Sequence, residues 1–334
     1  MDTPTMASSR LKVILGTMEF GRRKLVDDKP CLELLDTLLA RGYREVDTAL
    51  MYTEGKSEKI IGCHPAAKDM SRMLIATKAN PWGPKGLQRD RVLEQASISL
   101  GSLQVPCVDI FYLHAPDHNT PIEETLGACQ QLYTEGKFKR LGLSNYAAWE
   151  VADIYHICKR NGWILPTVYQ GMYNAITRNV ETELLPALKY FGLSFYAYNP
   201  LAGGLLTNKY KLADLTSGGE PEGRFFSHGK WSEVYRTRYW RESVFKGIEH
   251  VQETLDQCYG VGAVSLASAA IRWMNHHSKM CPKQGDGIIL GVSSMEQLEI
   301  NLHSCEEGPL DARVVKAFDD AWEADKSRCA NYFR

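Results

Sequence analysis

The sequence carries almost no net charge. Its 39 Lys and Arg nearly cancel 40 Asp and Glu, leaving −1 over 334 residues, so no global field draws a polyanion to the surface. The basic clusters Arg22-Arg23-Lys24 and Lys137-Phe138-Lys139-Arg140 are short and read as solvated edges, and nucleic acid is not an expected partner. Long apolar runs are missing too. The least polar stretch, 260–271, falls far short of the roughly 20 residues a membrane span needs, and residues 1–10 lack the apolar core of a secretory signal. The nine cysteines are odd in number and include no C-x-x-C pair, which excludes a disulfide-stapled domain and favours free thiols in a reducing compartment. A cytoplasmic protein without a membrane partner is expected. With no Pro-, Gly- or Ser-rich linker, residues 1–334 are expected to form one domain.

What is present is alternation. Apolar, β-branched runs of strand length occur at 12–17, 45–49, 73–78, 108–114, 140–144, 167–170, 194–199 and 287–292. Stretches with helical spacing lie at 29–41, 57–63, 88–103, 122–135, 146–161, 182–191, 241–259, 265–274, 295–304 and 312–326. Eight strands separated by helices imply an α/β fold, a single (β/α)8 TIM barrel. The rival, a doubly wound sheet, would carry G-x-G-x-x-G after the first strand, where this chain reads Gly16-Thr17-Met18-Glu19-Phe20-Gly21. The segment 216–240, rich in glycine (Gly218, Gly219, Gly223) and aromatics (Phe225, Phe226, Trp231, Tyr235, Tyr239, Trp240), reads as a long loop over the active site.

A barrel gathers its chemistry where strands end. The expected strand ends supply Asp47 and, five residues on, Tyr52; then Thr77-Lys78, His114, Ser144-Asn145, Gln170 and Asn199. A phenol is a poor acid near neutrality, but an ammonium such as Lys78 favours its phenolate and lowers its pKa. A buried lysine needs a carboxylate beside it, which Asp47 provides. His114 can hydrogen-bond and orient a carbonyl. None of these groups supplies a hydride, so a cofactor must.

The segments Asp47-Thr48-Ala49-Leu50-Met51-Tyr52, Thr77-Lys78, Tyr112-Leu113-His114 and Leu143-Ser144-Asn145 resemble, in order and over nearly the whole chain, the signatures of the aldo-keto reductase family. The stretches Tyr198 to Leu206, Gly223-Arg224-Phe225-Phe226 and Asn331-Tyr332-Phe333-Arg334 are similar to its aflatoxin aldehyde reductase subfamily. The resemblance implies NADPH bound in extended form, Tyr52 as proton donor, Lys78 and Asp47 as its tuners, and His114 orienting the carbonyl. It implies Ser144, Asn145 and Gln170 on the carboxamide, with an aromatic of the seventh strand as stacking surface. Asn199, Pro200, Leu201, Gly203, Gly204, Leu205 and Lys209 would wrap the pyrophosphate, and Ser293, Gln297 and Asn301 would take the adenosine end. Trp231, Tyr235 and Arg334 would meet the substrate. Many members hold the 2′-phosphate with a lysine and an arginine, where this chain has Gly291 and Gln297, leaving Arg224 or Lys209 as replacements. The substrates so implied are aldehydes and dialdehydes, aflatoxin dialdehyde and succinic semialdehyde among them, met in detoxification by a homodimer.

Other chemistries fit less well. Pro116 opposes the helix a zinc-binding His114/His118 pair would need, so no metal is expected, and a glycosidase would need a second strand-end carboxylate opposite Asp47. The pairs Tyr52/Lys56 and Tyr133/Lys137 imitate a short-chain dehydrogenase Y-x-x-x-K without its glycine fingerprint. Potassium-channel auxiliary subunits share the implied fold; those that inactivate carry a long leading segment, and about ten residues precede the first expected strand here.

Overall fold

The computed structural model describes residues 10–216, 223–226 and 230–334. Residues 1–9, and 217–222 and 227–229 of the expected long loop, with Gly218 and Gly219, lie outside the described residues. Eight strands, β1 (Lys12–Gly16), β2 (Glu45–Asp47), β3 (Leu74–Ala79), β4 (Val108–Leu113), β5 (Phe138–Ser144), β6 (Pro166–Met172), β7 (Ser194–Tyr198) and β8 (Gly287–Gly291), close into a barrel in sequence order. Every neighbouring pair is parallel, β8 pairing back onto β1 from Lys12↔Gly287 to Gly16↔Gly291. The structure is therefore the expected (β/α)8 barrel.

Helices α1 (Asp28–Ala40), α2 (Lys56–Cys63), α3 (Arg89–Leu103), α4 (Ile122–Thr134), α5 (Ala148–Asn161) and α6 (Leu184–Phe191) follow the first six strands in turn. After β7 come α7 (Lys230–Tyr239), α8 (Glu242–Tyr259) and α9 (Leu266–His276), and after β8 come α10 (Met295–Glu306) and α11 (Ala312–Asp325). Part of the expected long loop is thus the helix α7. Its aromatics Trp231, Tyr235 and Tyr239 recur every four residues, the spacing of one helical face, and Tyr235 and Tyr239 are buried.

Because strand side chains alternate, each strand buries one face under the helices and turns the other into the lumen. The outer face and the helices make the main core, while Ile14, Ala76, Ile110, Tyr112, Val168, Tyr196 and Ile289 fill the lumen. Gly142 belongs to the same design: a Cβ there would collide with the ring of Tyr112 on the neighbouring strand. The alternation also corrects the reading of Arg140 as a solvated edge. Two residues before Gly142, it donates to Asp109 at 3.0 Å and to the lumen phenol Tyr196 at 3.4 Å.

Candidate active site

Asp47 ends β2 and Lys78 is the fifth residue of β3, so both side chains enter the upper lumen. The Lys78 ammonium, fully buried, donates to both Asp47 carboxylate oxygens at 2.8 and 2.7 Å and to the Thr48 carbonyl at 2.7 Å. Gln170 adds a donor to Asp47 Oδ1 at 2.7 Å. It lies two residues inside β6 and not at its end, because the strand runs on to Met172. The carboxylate therefore has a full set of partners, as a buried charge requires.

Tyr52 opens a 3-10 turn, Tyr52–Gly55, in which Thr53 and Glu54 take left-handed backbone angles. Thr53 Oγ1 ties that turn to the Phe20 carbonyl at 2.8 Å. The turn brings the Tyr52 hydroxyl to 3.5 Å from Lys78 Nζ, and the ring stands edge-on to His114 with centroids 6.0 Å apart. His114 follows β4, and its N–H donates to the Ala79 carbonyl at 2.8 Å. The four expected catalytic residues thus meet at one end of the barrel.

Their protonation follows from burial. Desolvation first, and Asp47 second, push the Tyr52 phenol well above its ordinary value despite Arg224. This runs against the expectation that Lys78 lowers it: with Asp47 2.7 Å away, the ammonium presents a nearly neutral pair, and a phenolate in a dry site is costly. Tyr52 therefore holds its proton at neutral pH. Burial likewise lowers the Lys78 ammonium, with Asp47 opposing. Desolvation, then Lys78 and Arg334, keep His114 well below the usual histidine range, so its imidazole is neutral, with Nδ1 buried and unpartnered among the described residues.

Around this centre the expected cofactor residues form an arc. Asn145, just past β5 at φ 64°, donates to the His114 carbonyl at 2.9 Å and to Ser144 Oγ at 3.0 Å, and accepts from the Tyr198 hydroxyl at 2.8 Å. Past β7, Asn199 has φ 58° and a buried Nδ2 without a partner among the described residues. Pro200 and Leu205 are buried and Leu201 half-buried. Gly203 and Gly204 take φ of 71° and 97°, which only glycine adopts at no steric cost; a Cβ on Gly203 would also stand 2.7 Å from the Tyr235 ring. Lys209 is exposed, its Nζ 4.7 Å from the Tyr210 ring centre. Arg224 donates to the Tyr235 hydroxyl at 2.9 Å, which donates to Asn199 Oδ1 at 3.1 Å, tying α7 to this turn. Ser293 and Gln297 bond each other at the start of α10, whose cap is Ser294, and Asn301 is buried one turn on. These three do not bond the catalytic group.

At the mouth, Arg334 is anchored by its own N–H to the Asn145 carbonyl at 3.0 Å. Its guanidinium lies 5.6 Å from the ring centre of Trp82 and 5.4 Å from that of Trp231. Two residues earlier, Tyr332 is pinned by Ala148 N–H and by Glu183. Trp82 was not singled out in the sequence, yet its ring meets His114 edge-on at 5.0 Å. Its loop is held by Asn80, which bonds Gln95 and receives the Trp82 N–H. Arg238 was also missed. It sits 3.7 Å from Met172 Sδ, and its charge reaches Tyr198, Tyr235 and Arg334. The signal for Arg238 was its place three residues after Tyr235; for Trp82 there was only its place in the loop after β3.

The arrangement offers a phenolic proton and a neutral imidazole at the closed end of a cationic, aromatic mouth. Comparison with known proteins supplies the class. The model of the Aldo/keto reductase family matches residues 12–323. The chain belongs to the aldo/keto reductase family. It is 57% identical over 330 residues to the rat protein named aflatoxin B1 aldehyde reductase member 2, covering 98% of this chain and 89% of that protein. It is 54% identical over 330 residues to human aflatoxin B1 aldehyde reductase member 4, covering 98% of each. A fungal aldo-keto reductase of Pseudocercospora fijiensis is 43% identical over 90% of this chain and 100% of its own length. As an aldo/keto reductase the chain is an oxidoreductase, in a family that generally uses a nicotinamide cofactor. Among the described residues no helix is long and apolar enough to cross a membrane.

Proposed function

We propose that this aldo/keto reductase reduces aldehydes and dialdehydes, succinic semialdehyde and aflatoxin dialdehyde among them, to alcohols with NADPH. The observation that carries the reading is the protonated Tyr52 set beside the neutral His114, with Lys78, Asp47 and Gln170 bonded behind them. His114 receives the carbonyl oxygen and orients it. As that oxygen gains charge it approaches an alkoxide, whose basicity is comparable to that of hydroxide, the conjugate base of water at pKa about 15.7, so even a phenol with a raised pKa protonates it downhill. The Tyr52 phenolate left behind accepts a hydrogen bond from Lys78 Nζ, 3.5 Å from its oxygen, a local bond that persists although Asp47 cancels most of the ammonium's field.

The residues present fit a dinucleotide. The orphaned Asn199 amide and the glycine turn at 203–204 supply donors and open backbone for a pyrophosphate. Arg224 supplies the countercharge: its Nη2 stands 3.8 Å from where a Cβ of Gly291 would be, beside the position of the missing lysine. Ser144, Gln170 and Asn145 would hold the carboxamide, Asn145 by exchanging one of its present bonds. Tyr198 is the seventh-strand aromatic for stacking, and Ser293, Gln297 and Asn301 take the adenosine end. Bound NADPH would supply the hydride, which no side chain here can furnish. Residues 1–334 act as one domain, with Trp231 of α7 at the mouth, in a cytoplasmic homodimer that gel filtration can check.

The test is to follow NADPH and NADH absorbance separately against aldehydes with and without a carboxylate. Oxidation of NADPH in preference to NADH, fastest with acid-bearing and dicarbonyl substrates, is expected. No oxidation of either with any aldehyde would overturn the reading.

A further inference from the structure

The loop after β1 holds a carboxylate that none of the chemistry above uses. Glu19 is 4% exposed, and three guanidiniums converge on it. Arg22 donates from Nε at 3.1 Å and Nη2 at 2.7 Å, Arg23 Nη1 is 3.4 Å away, and Arg224 Nη2 is 3.3 Å away. This corrects the reading of Arg22 and Arg23 as a solvated edge. Their side chains keep about a third of their surface in water, but their charges turn inward. Burial pushes the Glu19 carboxyl up; Arg224, Arg22 and Arg23 together outweigh it and hold it below its ordinary value. Among the described residues, one carboxylate faces three guanidiniums.

By charge alone, a carboxylate beside a phosphate site is a fault, because it repels the ligand. What Glu19 does to Arg224 explains its presence. An arginine side chain has many rotamers to lose on ordering. Glu19 selects one, in which the guanidinium also donates to the Tyr235 hydroxyl and to Met18 Sδ at 3.3 Å and stands over Gly291. Arg22 and Arg23 offset the repulsion that Glu19 would otherwise exert.

We propose that Glu19 is a positioning residue for the cofactor: it fixes the Arg224 guanidinium where a phosphate group of NADPH meets an oriented cation in place of a mobile one. The proposal rests on the reading of Arg224 as a phosphate ligand, and the experiment separates the two. The equilibrium dissociation constant of NADPH is measured by quenching of protein fluorescence for wild type, Arg224→Gln, Glu19→Gln, Glu19→Asp and the double variant Glu19→Gln/Arg224→Gln, with melting curves as the check on folding. Arg224→Gln weakens binding about tenfold, the worth of one charge-assisted hydrogen bond. Glu19→Gln weakens it about three- to tenfold although it makes the cluster more positive, and the double variant is no weaker than Arg224→Gln alone. Glu19→Asp, which keeps the charge and shortens the reach, falls between wild type and Glu19→Gln, and it carries the test if the glutamine variant does not fold. Tighter binding in Glu19→Gln, wild-type binding in Glu19→Asp, or additive losses in the double variant would overturn the role of Glu19 while leaving Arg224 in place. Unchanged binding in Arg224→Gln would remove the phosphate reading and the proposal with it.

Discussion

The two ends of the barrel lumen are both polar, and they differ in what they leave unsatisfied. At the lower end Lys12 pairs with Glu45 at 3.0 Å, Arg140 pairs with Asp109 at 3.0 Å, and the Tyr196 hydroxyl donates to Glu45 at 2.6 Å. Two cations, two carboxylates and a phenol close on one another. At the upper end Lys78 and Asp47 are as well paired, but His114 Nδ1 and Asn199 Nδ2 beside them are buried without partners among the described residues. A buried donor or acceptor left open costs roughly 1–3 kcal/mol, a cost that makes sense where a ligand completes the bond. Ion pairing therefore does not distinguish the two ends of the lumen; the open valences of His114 and Asn199 do. The Tyr112 hydroxyl, midway along the lumen, is also unpartnered among the described residues.

Breaking the pair at each end sharpens the contrast. Lys78→Met removes the ammonium beside Tyr52 and strands Asp47, so turnover should fall about 10²-fold or more. Stability should fall by about 3–5 kcal/mol, the usual result of breaking a buried pair from one side. Steady-state kinetics and denaturant melts check both, and retention of the wild-type pH–rate profile at wild-type height would sink the assignment. Next comes Arg334→Ala. The guanidinium between Trp82 and Trp231 should hold a substrate carboxylate, so KM for succinic semialdehyde should rise about 10- to 100-fold, from the roughly 1.5–3 kcal/mol of a charged hydrogen bond. An uncharged aldehyde of the same size should be spared, and equal losses on both would mean a general disturbance of the mouth.

At the lower end the effect should be on stability alone. Glu45→Gln weakens the bonds from Lys12 and Tyr196 and should cost about 2 kcal/mol in denaturant melts, with kcat and KM within about twofold of wild type. A large kinetic loss would show that the lower end is coupled to the chemistry. The smallest effect is that of pH. His114 is held well below its ordinary value by burial, then Lys78 and Arg334, so below about pH 6.5 the unfolded chain takes up a proton that the folded one refuses. Stability is therefore lost as pH falls through 6.5 and is untouched by this group above it. At about pH 5.5 the loss is on the order of 1 kcal/mol, and His114→Gln should abolish it. An equal decline in wild type and variant would contradict the neutral imidazole.

Much of this was legible in the sequence because strand patterning is local. The runs that became β1 to β8 are apolar at alternating or continuous positions, and once eight of them alternate with helices the barrel and its polar strand ends follow. Asp47, Lys78 and His114 could be placed at one mouth on that ground alone. The path of the loops is not local. Trp82 reaches His114 only because Asn80 is pinned by Gln95 on α3, fifteen residues away. Arg22 and Arg23 turn inward onto Glu19, three and four residues away, and what the local spacing does not show is that Glu19 is buried and also meets Arg224, some two hundred residues on. The α7 helix was readable from the four-residue spacing of Trp231, Tyr235 and Tyr239, a pattern masked by the glycines before it. The direction of the Tyr52 shift could not be read, because it depends on how completely Asp47 cancels Lys78 in a dry site.

A lumen tyrosine should matter for turnover according to the end it occupies, and parallel single-turnover measurements on Tyr52→Phe and Tyr196→Phe decide it. Each variant is loaded with NADPH, its binding is measured, and loss of nicotinamide absorbance is followed after mixing with aldehyde. Tyr52→Phe should bind NADPH within about threefold of wild type but transfer hydride slower by about 10²–10⁴-fold, the usual worth of general acid catalysis, while Tyr196→Phe should react at nearly the wild-type rate. A Tyr52→Phe rate within about tenfold of wild type, or an equal loss in both variants, would contradict this expectation.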